Sequence, residues 1–367
     1  MDAAFDDIAI PRPELARVYL DLLRAQPGRP LALFAPRRVG KTFFLDHDLA
    51  PAATAAGLRP VYADLWLSKG APLDAVNHAV EEALDDALVP ASKVARAAKT
   101  KVKKVGVLGA SLELGDEPVR RPLPAKAELR LDALVQRLRL AAAKPVLLLL
   151  DEVQTLADAP DGEAIAATLR AVLHKRRREV FAVLTGSSRE GLARMLSTVG
   201  APMYQFAQVM DFPPLGDEFL EALARHFRSV HPRKRLDTHA LRAAYQRLGL
   251  RPGVLRDLVK SMSAEGLTDV ELGMQRFLND PLRVAEWRAL LDALAPLDRA
   301  VLSALAHSKP PMSTQTLAEL GRTLGERPTI GKVRASIERL RKTGLVHRDP
   351  ARTPSIDDPL LVEHLRA

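Results

Sequence analysis

Ala35-Pro36-Arg37-Arg38-Val39-Gly40-Lys41-Thr42 follows the apolar run Leu31-Ala32-Leu33-Phe34 and leads into Phe43-Phe44-Leu45. Glycine, lysine and a hydroxyl residue in succession, between a buried strand and the start of a helix, can wrap a polyphosphate. Backbone N–H groups from Arg38, Val39 and Gly40 through Lys41, Thr42 and Phe43 would converge on phosphate oxygens where the helix dipole favours negative charge. Gly40 lets the chain come close, the Lys41 ammonium reaches the β- and γ-phosphates, and the Thr42 hydroxyl can ligate Mg²⁺. Ala35 stands where such loops usually carry their first glycine.

Far downstream, Pro145-Val146-Leu147-Leu148-Leu149-Leu150 runs into Asp151-Glu152. A continuous apolar run of this length suits a parallel strand covered on both faces, and carboxylates at its C-terminal end emerge where open α/β sheets bind ligands. Asp151 is a candidate to hold Mg²⁺ through water, and Glu152 to polarise an attacking water. Acids also suit the first turn of any helix. The two motifs in this order, rather than either alone, point to nucleotide hydrolysis.

The elements that must position these groups are legible as apolar periodicity. Pro13 to Ala25 places Leu15, Val18, Tyr19 and Leu22 at helical spacing, and Gln26-Pro27-Gly28-Arg29-Pro30 breaks that helix. Arg59 to Trp66 reads as a strand and Pro72 to Leu88 as an amphipathic helix. Helices are expected at Ala127–Ala143 and Asp161–Arg178, strands at Val180–Thr185 and near Tyr204–Phe212. A basic insertion of about 89–122 carries Lys93, Arg96, Lys99, Lys101, Lys103 and Lys104, then a loosely alternating Val105–Leu114. It is either a solvated loop or a contact to nucleic-acid phosphates that ignores sequence, since no aromatic is there to stack. His174-Lys175-Arg176-Arg177-Arg178 is either a second such patch or the cationic last turn that a helix dipole favours by itself.

From Asp217 onward strand signals fade, and Phe219, Leu220, Leu223, Ala224 and Phe227 mark the first of a series of helices. The last segment reads as helices at Leu297–Ala306, Thr314–Leu324 and Lys332–Thr343, a strand at Gly344–Asp349 and a partner at Pro354-Ser355-Ile356. Burying Val333, Ile337 and Leu340 leaves Arg334, Arg339, Arg341 and Lys342 for DNA. The alternative is ordinary i,i+4 ion pairing of Arg334 and Lys342 with Glu338.

At 367 residues the chain has room for two or three domains. With no cysteine it holds neither a disulfide framework nor a thiolate metal site. Its first residues, Met1-Asp2-Ala3-Ala4-Phe5-Asp6-Asp7, are acidic, and no apolar run approaches the ~20 residues that cross a bilayer. A cytoplasmic protein with no membrane partner is expected. A net charge of +9 and a pI near 9.8 favour a polyanionic partner.

Taken together, Arg37-Arg38-Val39-Gly40-Lys41-Thr42, Asp151-Glu152-Val153-Gln154, Leu184-Thr185-Gly186-Ser187-Ser188 and Phe212-Pro213-Pro214-Leu215 resemble the AAA+/STAND-type P-loop ATPases. The resemblance is strongest to the archaeal-type ATPase group, relatives of the origin-recognition initiators. It implies an α/β fold: a five-stranded parallel sheet of the ASCE type flanked by helices, with the Ser187 strand between the loop strand and the acidic strand. A helical lid and a C-terminal winged helix would follow, dividing the chain into 1–215, 216–295 and 296–367. It also implies ATP and Mg²⁺ as cofactors, Glu152, Lys41 and Ser187 as catalytic residues, with Ser187 facing the γ-phosphate, and Thr42 and Asp151 as metal ligands. The turn Leu248–Arg256 would bring Arg256, or else Arg251, toward the phosphates.

The function so implied is an ATP-hydrolysing switch, slow as an isolated monomer. A homo-oligomer or a protein partner would supply an arginine finger, for which Arg189 and Arg194 are both candidates. Its winged helix and basic surface would act on double-stranded DNA. The alternative is a STAND-like signalling or defence ATPase whose lid and winged helix contact protein.

Overall fold

Strands β1 (Leu31–Phe34), β2 (Arg59–Asp64), β3 (Val146–Asp151), β4 (Val180–Gly186) and β5 (Gln208–Asp211) form one parallel sheet in the order β2-β3-β4-β1-β5. The Ser187 strand, β4, therefore lies between the loop strand and the acidic strand, as the resemblance implies. This computed structural model describes residue 5 and residues 8–88, 122–157, 159–348 and 353–366. The lysine-rich part of the expected insertion and its alternating stretch fall outside the described residues.

Every residue of β3 is buried, because helices cover both faces of the sheet. Successive side chains of a strand point to opposite sides. Leu147 and Leu149 accordingly join α1 (Pro13–Ala25) and the segment after β1 in a core built on Tyr19, Leu23, Phe44, Leu45 and Leu49. Val146, Leu148 and Leu150 face the other way, onto α4 (Pro72–Leu88), α5 (Ala127–Ala142) and α6 (Gly162–Lys175). Tyr19 also ties α1 to the sheet edge by donating its hydroxyl to the Asp211 carbonyl at 2.8 Å. Burial pushes that phenol up to about 12.

The helix after β1 departs from a plain α-helix. It begins as α2 (Lys41–Phe43), widens into a π turn over Phe44–Leu49 and resumes as α3 (Ala50–Ala55). Pro51 explains the change. It has no N–H to give the carbonyl four residues back, and its ring would collide with that carbonyl, so the ladder shifts to a five-residue step, with Ala50 N–H donating to Leu45 O. The expected strand near Tyr204–Phe212 is confined to β5, since Ala201 to Phe206 close on themselves in hydrogen-bonded turns. A helix α7 (Arg189–Ser197) intervenes between β4 and β5.

By contacts the chain forms two compact units, one of Pro11–Ala35 with Lys41–Phe212, the other of the residues up to Ile10, Pro36–Gly40 and Pro213–Ala367. In the second, α8 (Asp217–Val230), α9 (Thr238–Arg247), α10 (Pro252–Glu265), α11 (Val270–Leu278) and α12 (Pro281–Asp292) precede α13 (Pro296–Ala306), α14 (Thr314–Leu324) and α15 (Ile330–Lys342). An antiparallel pair β6 (Val346–Arg348) and β7 (Pro354–Ile356), with Val346 opposite Ile356, and a last helix α16 (Pro359–Arg366) complete it. One apolar core, with Phe219, Phe227, Leu258, Val301, Val333 and Ile337 among its members, runs through these helices. Among the described residues no helix is long and apolar enough to cross a membrane.

Charge is buried beside this core at Asp298. Asp298, 5 % exposed, receives both arms of the Arg339 guanidinium, Nε at 2.9 Å and Nη2 at 2.5 Å. Burial alone would raise its pKa, but the hydrogen bonds and charge of Arg339 outweigh that and hold the carboxyl below the usual range. A depressed folded pKa contributes stability that is complete above the unfolded value of ~3.9 and is lost as pH falls through the folded one. Arg339→Ala should cost roughly 1–3 kcal/mol in urea unfolding at neutral pH, a figure tempered by the half-exposed guanidinium. It should also flatten the loss of stability at acid pH.

A candidate nucleotide-binding and hydrolysis site

The loop leaves β1 with the Ala35 N–H donating to the Gly186 carbonyl at 3.3 Å, which continues the β1–β4 ladder by one step. Ala35 has no left-handed backbone, so nothing there demands the glycine that such loops usually carry. Gly40 is different. Its φ is +93°, while a Cβ on it would meet no atom within 4 Å, so conformation rather than space requires glycine. Lys41 is 6 % exposed and donates from Nζ to the Ala35 carbonyl at 2.8 Å. Val39 is buried, Thr42 is exposed, and the Phe43 ring stacks on His47 at 4.2 Å.

Arg38, also left-handed at φ +68°, is held within the second unit. Its carbonyl accepts from Gly253 N–H at 3.0 Å, and its guanidinium donates to the Gly253 carbonyl at 2.8 Å and pairs with Asp257. A Cβ at position 253 would lie 3.2 Å from both the Cβ and the carbonyl of Arg38, which explains a glycine there.

The two expected metal ligands are in direct contact: Thr42 Oγ1 donates to Asp151 Oδ2 at 2.8 Å. Asp151 is 3 % exposed and also accepts from the Tyr62 hydroxyl on Oδ2 at 3.3 Å and from the Glu152 N–H (2.9 Å) and Thr185 hydroxyl on Oδ1. Sheet register delivers these partners, since β2 pairs with β3 so that Asp64 lies opposite Asp151. Tyr62 and Thr185 are additions to the expected site residues. Their signal in the sequence is slight, a hydroxyl side chain in the second half of a strand.

Carboxylates crowd this rim. Burial, then the charge of Asp151, raises Asp46 against the opposing effect of His47. Asp64 is raised by burial and by the charges of Asp151 and Glu152, opposed by the Trp66 N–H that it accepts at 2.8 Å. Burial and the neighbouring carboxylates also push the Tyr62 hydroxyl up, which keeps it a donor to Asp151.

Glu152 has a left-handed backbone, φ +56°, a conformation that costs a non-glycine residue on the order of 1 kcal/mol. It is pinned there by its N–H on Asp151 and by Thr155, which donates N–H (3.0 Å) and hydroxyl (2.9 Å) to its carbonyl. Its Oε2 accepts the Ser187 hydroxyl at 2.7 Å and the Gln154 amide. Ser187 thus contacts the candidate water-orienting carboxylate directly.

The remaining expected residues fare variously. Arg256 lies half-buried on α10 in the second unit. Arg251 is 8 % exposed and committed to the carbonyl and carboxylate of Asp357, so it acts as a structural pin. Arg194 is on α7, and the side chain of Arg189 falls outside the described residues. In the basic run that ends α6, Arg176 and Lys175 both bind Asp132, at 2.6 and 2.8 Å, and hold that carboxyl below its ordinary range. On α15, Glu338 pairs with Arg341 at 2.6 Å rather than with Arg334 or Lys342, and Lys332 pairs with Glu326 at 3.3 Å. Arg334 and Lys342 are exposed.

No protein-family model and no curated protein matches this sequence. Solved structures do match the fold. A Walker-type ATPase of Pyrococcus abyssi superposes with a TM-score of 0.60 at 19% identity, over 97% of this chain and 96% of that one. The ORC2 protein of Aeropyrum pernix, in its ADPNP–ADP complexes, gives 0.55 at 16% identity over 100% and 96% of the two chains. Its ADP form gives 0.53 at 16% identity over 99% and 96%. At these identities the likeness is one of fold, shared with this Walker-type ATPase and with the ORC2 protein.

The like-charged rim ties stability to pH. A raised folded pKa means that ionised Asp64 opposes folding at neutral pH, and that the opposition fades as pH falls and the carboxyl takes up its proton. Asp64→Asn keeps an oxygen for the Trp66 N–H. It should raise Tm by about 1–2 °C at pH ~7, with the gain gone by pH ~3 in thermal melts.

Proposed function

We propose that this chain, which carries the fold of the ORC-related AAA+ ATPases, binds and hydrolyses ATP as a molecular switch that acts on or with double-stranded DNA. The observation that supports it most is the junction of Thr42 with Asp151, beside a Glu152 held in a costly backbone conformation. The solved ORC2 structures with ADPNP and ADP make an adenine nucleotide the natural ligand class.

In this reading the backbone from Arg38 to Phe43 receives the phosphates and Lys41 meets the β- and γ-phosphate charge. Thr42 would hold Mg²⁺ by its hydroxyl oxygen and Asp151 through water, a hydroxyl and a carboxylate being suitable hard oxygen donors. When bound, the ion neutralises charge across the phosphate oxygens. Glu152 orients a water for in-line attack on the γ-phosphorus, the bond to the bridging oxygen breaks, and ADP and phosphate leave. Ser187 steadies Glu152, and Arg256 is the candidate to reach the phosphates from the lid. An arginine from a neighbouring copy or partner, Arg189 or Arg194, would complete the charge stabilisation. Such fingers add about 10³ to 10⁵ in rate, so a slow monomer is expected.

Lys41→Ala should weaken nucleotide binding at least about tenfold in a fluorescent-nucleotide titration, the loss of one charge-assisted contact. Glu152→Gln should keep that affinity and lower hydrolysis by about 10² or more. Turnover at the unmutated rate would remove Glu152 from its assigned role.

The division into an ATPase core (1–215), a helical lid (216–295) and a winged helix (296–367) belongs to the same reading, as does a cytoplasmic location. The net charge of +9 and the exposed Arg334 and Lys342 on α15 support DNA as the partner. The ion pairs of Lys332, Arg339 and Arg341 favour the second reading, a STAND-like signalling or defence ATPase that contacts protein through these helices. Gel shifts with nonspecific duplex across a salt series separate the two. The first reading expects affinity to fall steeply with salt, and Arg334→Glu with Lys342→Glu to reduce that slope by about 2. Absence of a shift at low salt selects the second.

A further inference from the structure

Gln154 follows the candidate water-orienting carboxylate by two residues and is 6 % exposed, an amide shut away in the turn after β3. Its Nε2 donates to Glu152 Oε2 and, at 3.2 Å, to Ser187 Oγ, while Ser187 donates to the same Glu152 oxygen at 2.7 Å. The three groups close a ring of hydrogen bonds. The amide has a determined orientation, because its carbonyl end turned to the carboxylate would repel it. That carbonyl, Oε1, is buried and finds no donor among the described residues. A buried polar atom left unmet costs stability, so the amide is not explained by its contribution to folding.

Room for Gln154 has been made on two sides. A Cβ on Gly186 would stand 2.6 Å from its Oε1, and one on Gly191 would stand 2.5 Å from its Cβ. Neither glycine has the positive φ that would call for glycine on conformational grounds. The small size of Gly191 serves the seat of Gln154, and that of Gly186 serves Gln154 together with Leu192.

We infer that Gln154 is a positioning residue: with Ser187 it fixes Glu152 through Oε2 alone, so that Oε1 is turned out to take the attacking water. Both donors meet one oxygen, and this distinguishes a residue that aims a base from one that occupies it. The inference rests on Glu152 acting as proposed above.

The test is steady-state ATP hydrolysis, nucleotide titration and thermal melting of the full chain carrying Gln154→Met, Gln154→Glu, Glu152→Gln and the pair Glu152→Gln with Gln154→Met. Methionine matches glutamine in length and removes both the donor and the unmet carbonyl. Gln154→Met should therefore melt at or above the unmutated temperature, bind nucleotide unchanged and lose about 10- to 100-fold in kcat, the scale of a misaimed catalytic group. Gln154→Glu sets a carboxylate against Glu152 and should fall further. The paired variant should be no slower than Glu152→Gln alone.

Unmutated kcat in Gln154→Met overturns the inference. So does a kcat loss that comes with a lowered melting temperature and is equal in the Met and Glu variants, which would make the role one of packing. If Gln154→Met does not melt cooperatively, Gln154→Glu, of the same size and polar, is read in its place, and unmutated kcat there has the same force. If Glu152→Gln itself hydrolyses ATP at the unmutated rate, the reading of Glu152 fails first, and the two failures are told apart.

Discussion

A carboxylate that is nearly dry must find its donors, and Asp151 finds them in four different segments. Thr42 comes from the loop helix, Tyr62 from β2, Thr185 from β4 and the Glu152 N–H from its own strand end. Unpaired, so buried a charge would cost several kcal/mol. The order β2-β3-β4-β1-β5 answers that requirement, because it sets the acidic strand between the tyrosine strand and the threonine strand. It also places the loop strand next to β4, so the loop helix arrives on the same rim. The sheet can be understood as the scaffold that satisfies one anion.

The strands and the helices that cover β3 and β4 could be read from apolar spacing, because these segments are consistent from residue to residue, whereas the strand order came from the family resemblance and several helices after Asp217 were read only as a series. What escaped reading had local causes. The change of step before Pro51 leaves no mark in apolar spacing, since proline removes one donor without removing the apolar face. The region near Tyr204 has strand-like side chains, yet its backbone bonds are spent in turns.

At the site, Lys41, Thr42, Asp151 and Glu152 could be named because their types announce chemistry, and Ser187 because of the family resemblance. Tyr62, Thr185 and Gln154 could not, because their part depends on which strand lies beside which. The basic residues show the reverse difficulty. Arg339, Arg341, Lys175 and Arg176 look like a surface for polyanions when read in line, and folding commits them to Asp298, Glu338 and Asp132. Net charge overstates the cations on offer wherever acids distant in sequence return to meet them.

The five-residue step before Pro51 has a further consequence for comparison between chains. A π turn accommodates one residue more than the α-helix that would span the same length, so the side chains before and after it are out of phase by about 100°. Pairing this segment with a helix that stays α-helical throughout requires a one-residue gap between Phe44 and Ala50. Without it, Leu49 and Ala53, which line the core, would be matched to positions turned about 100° away from theirs.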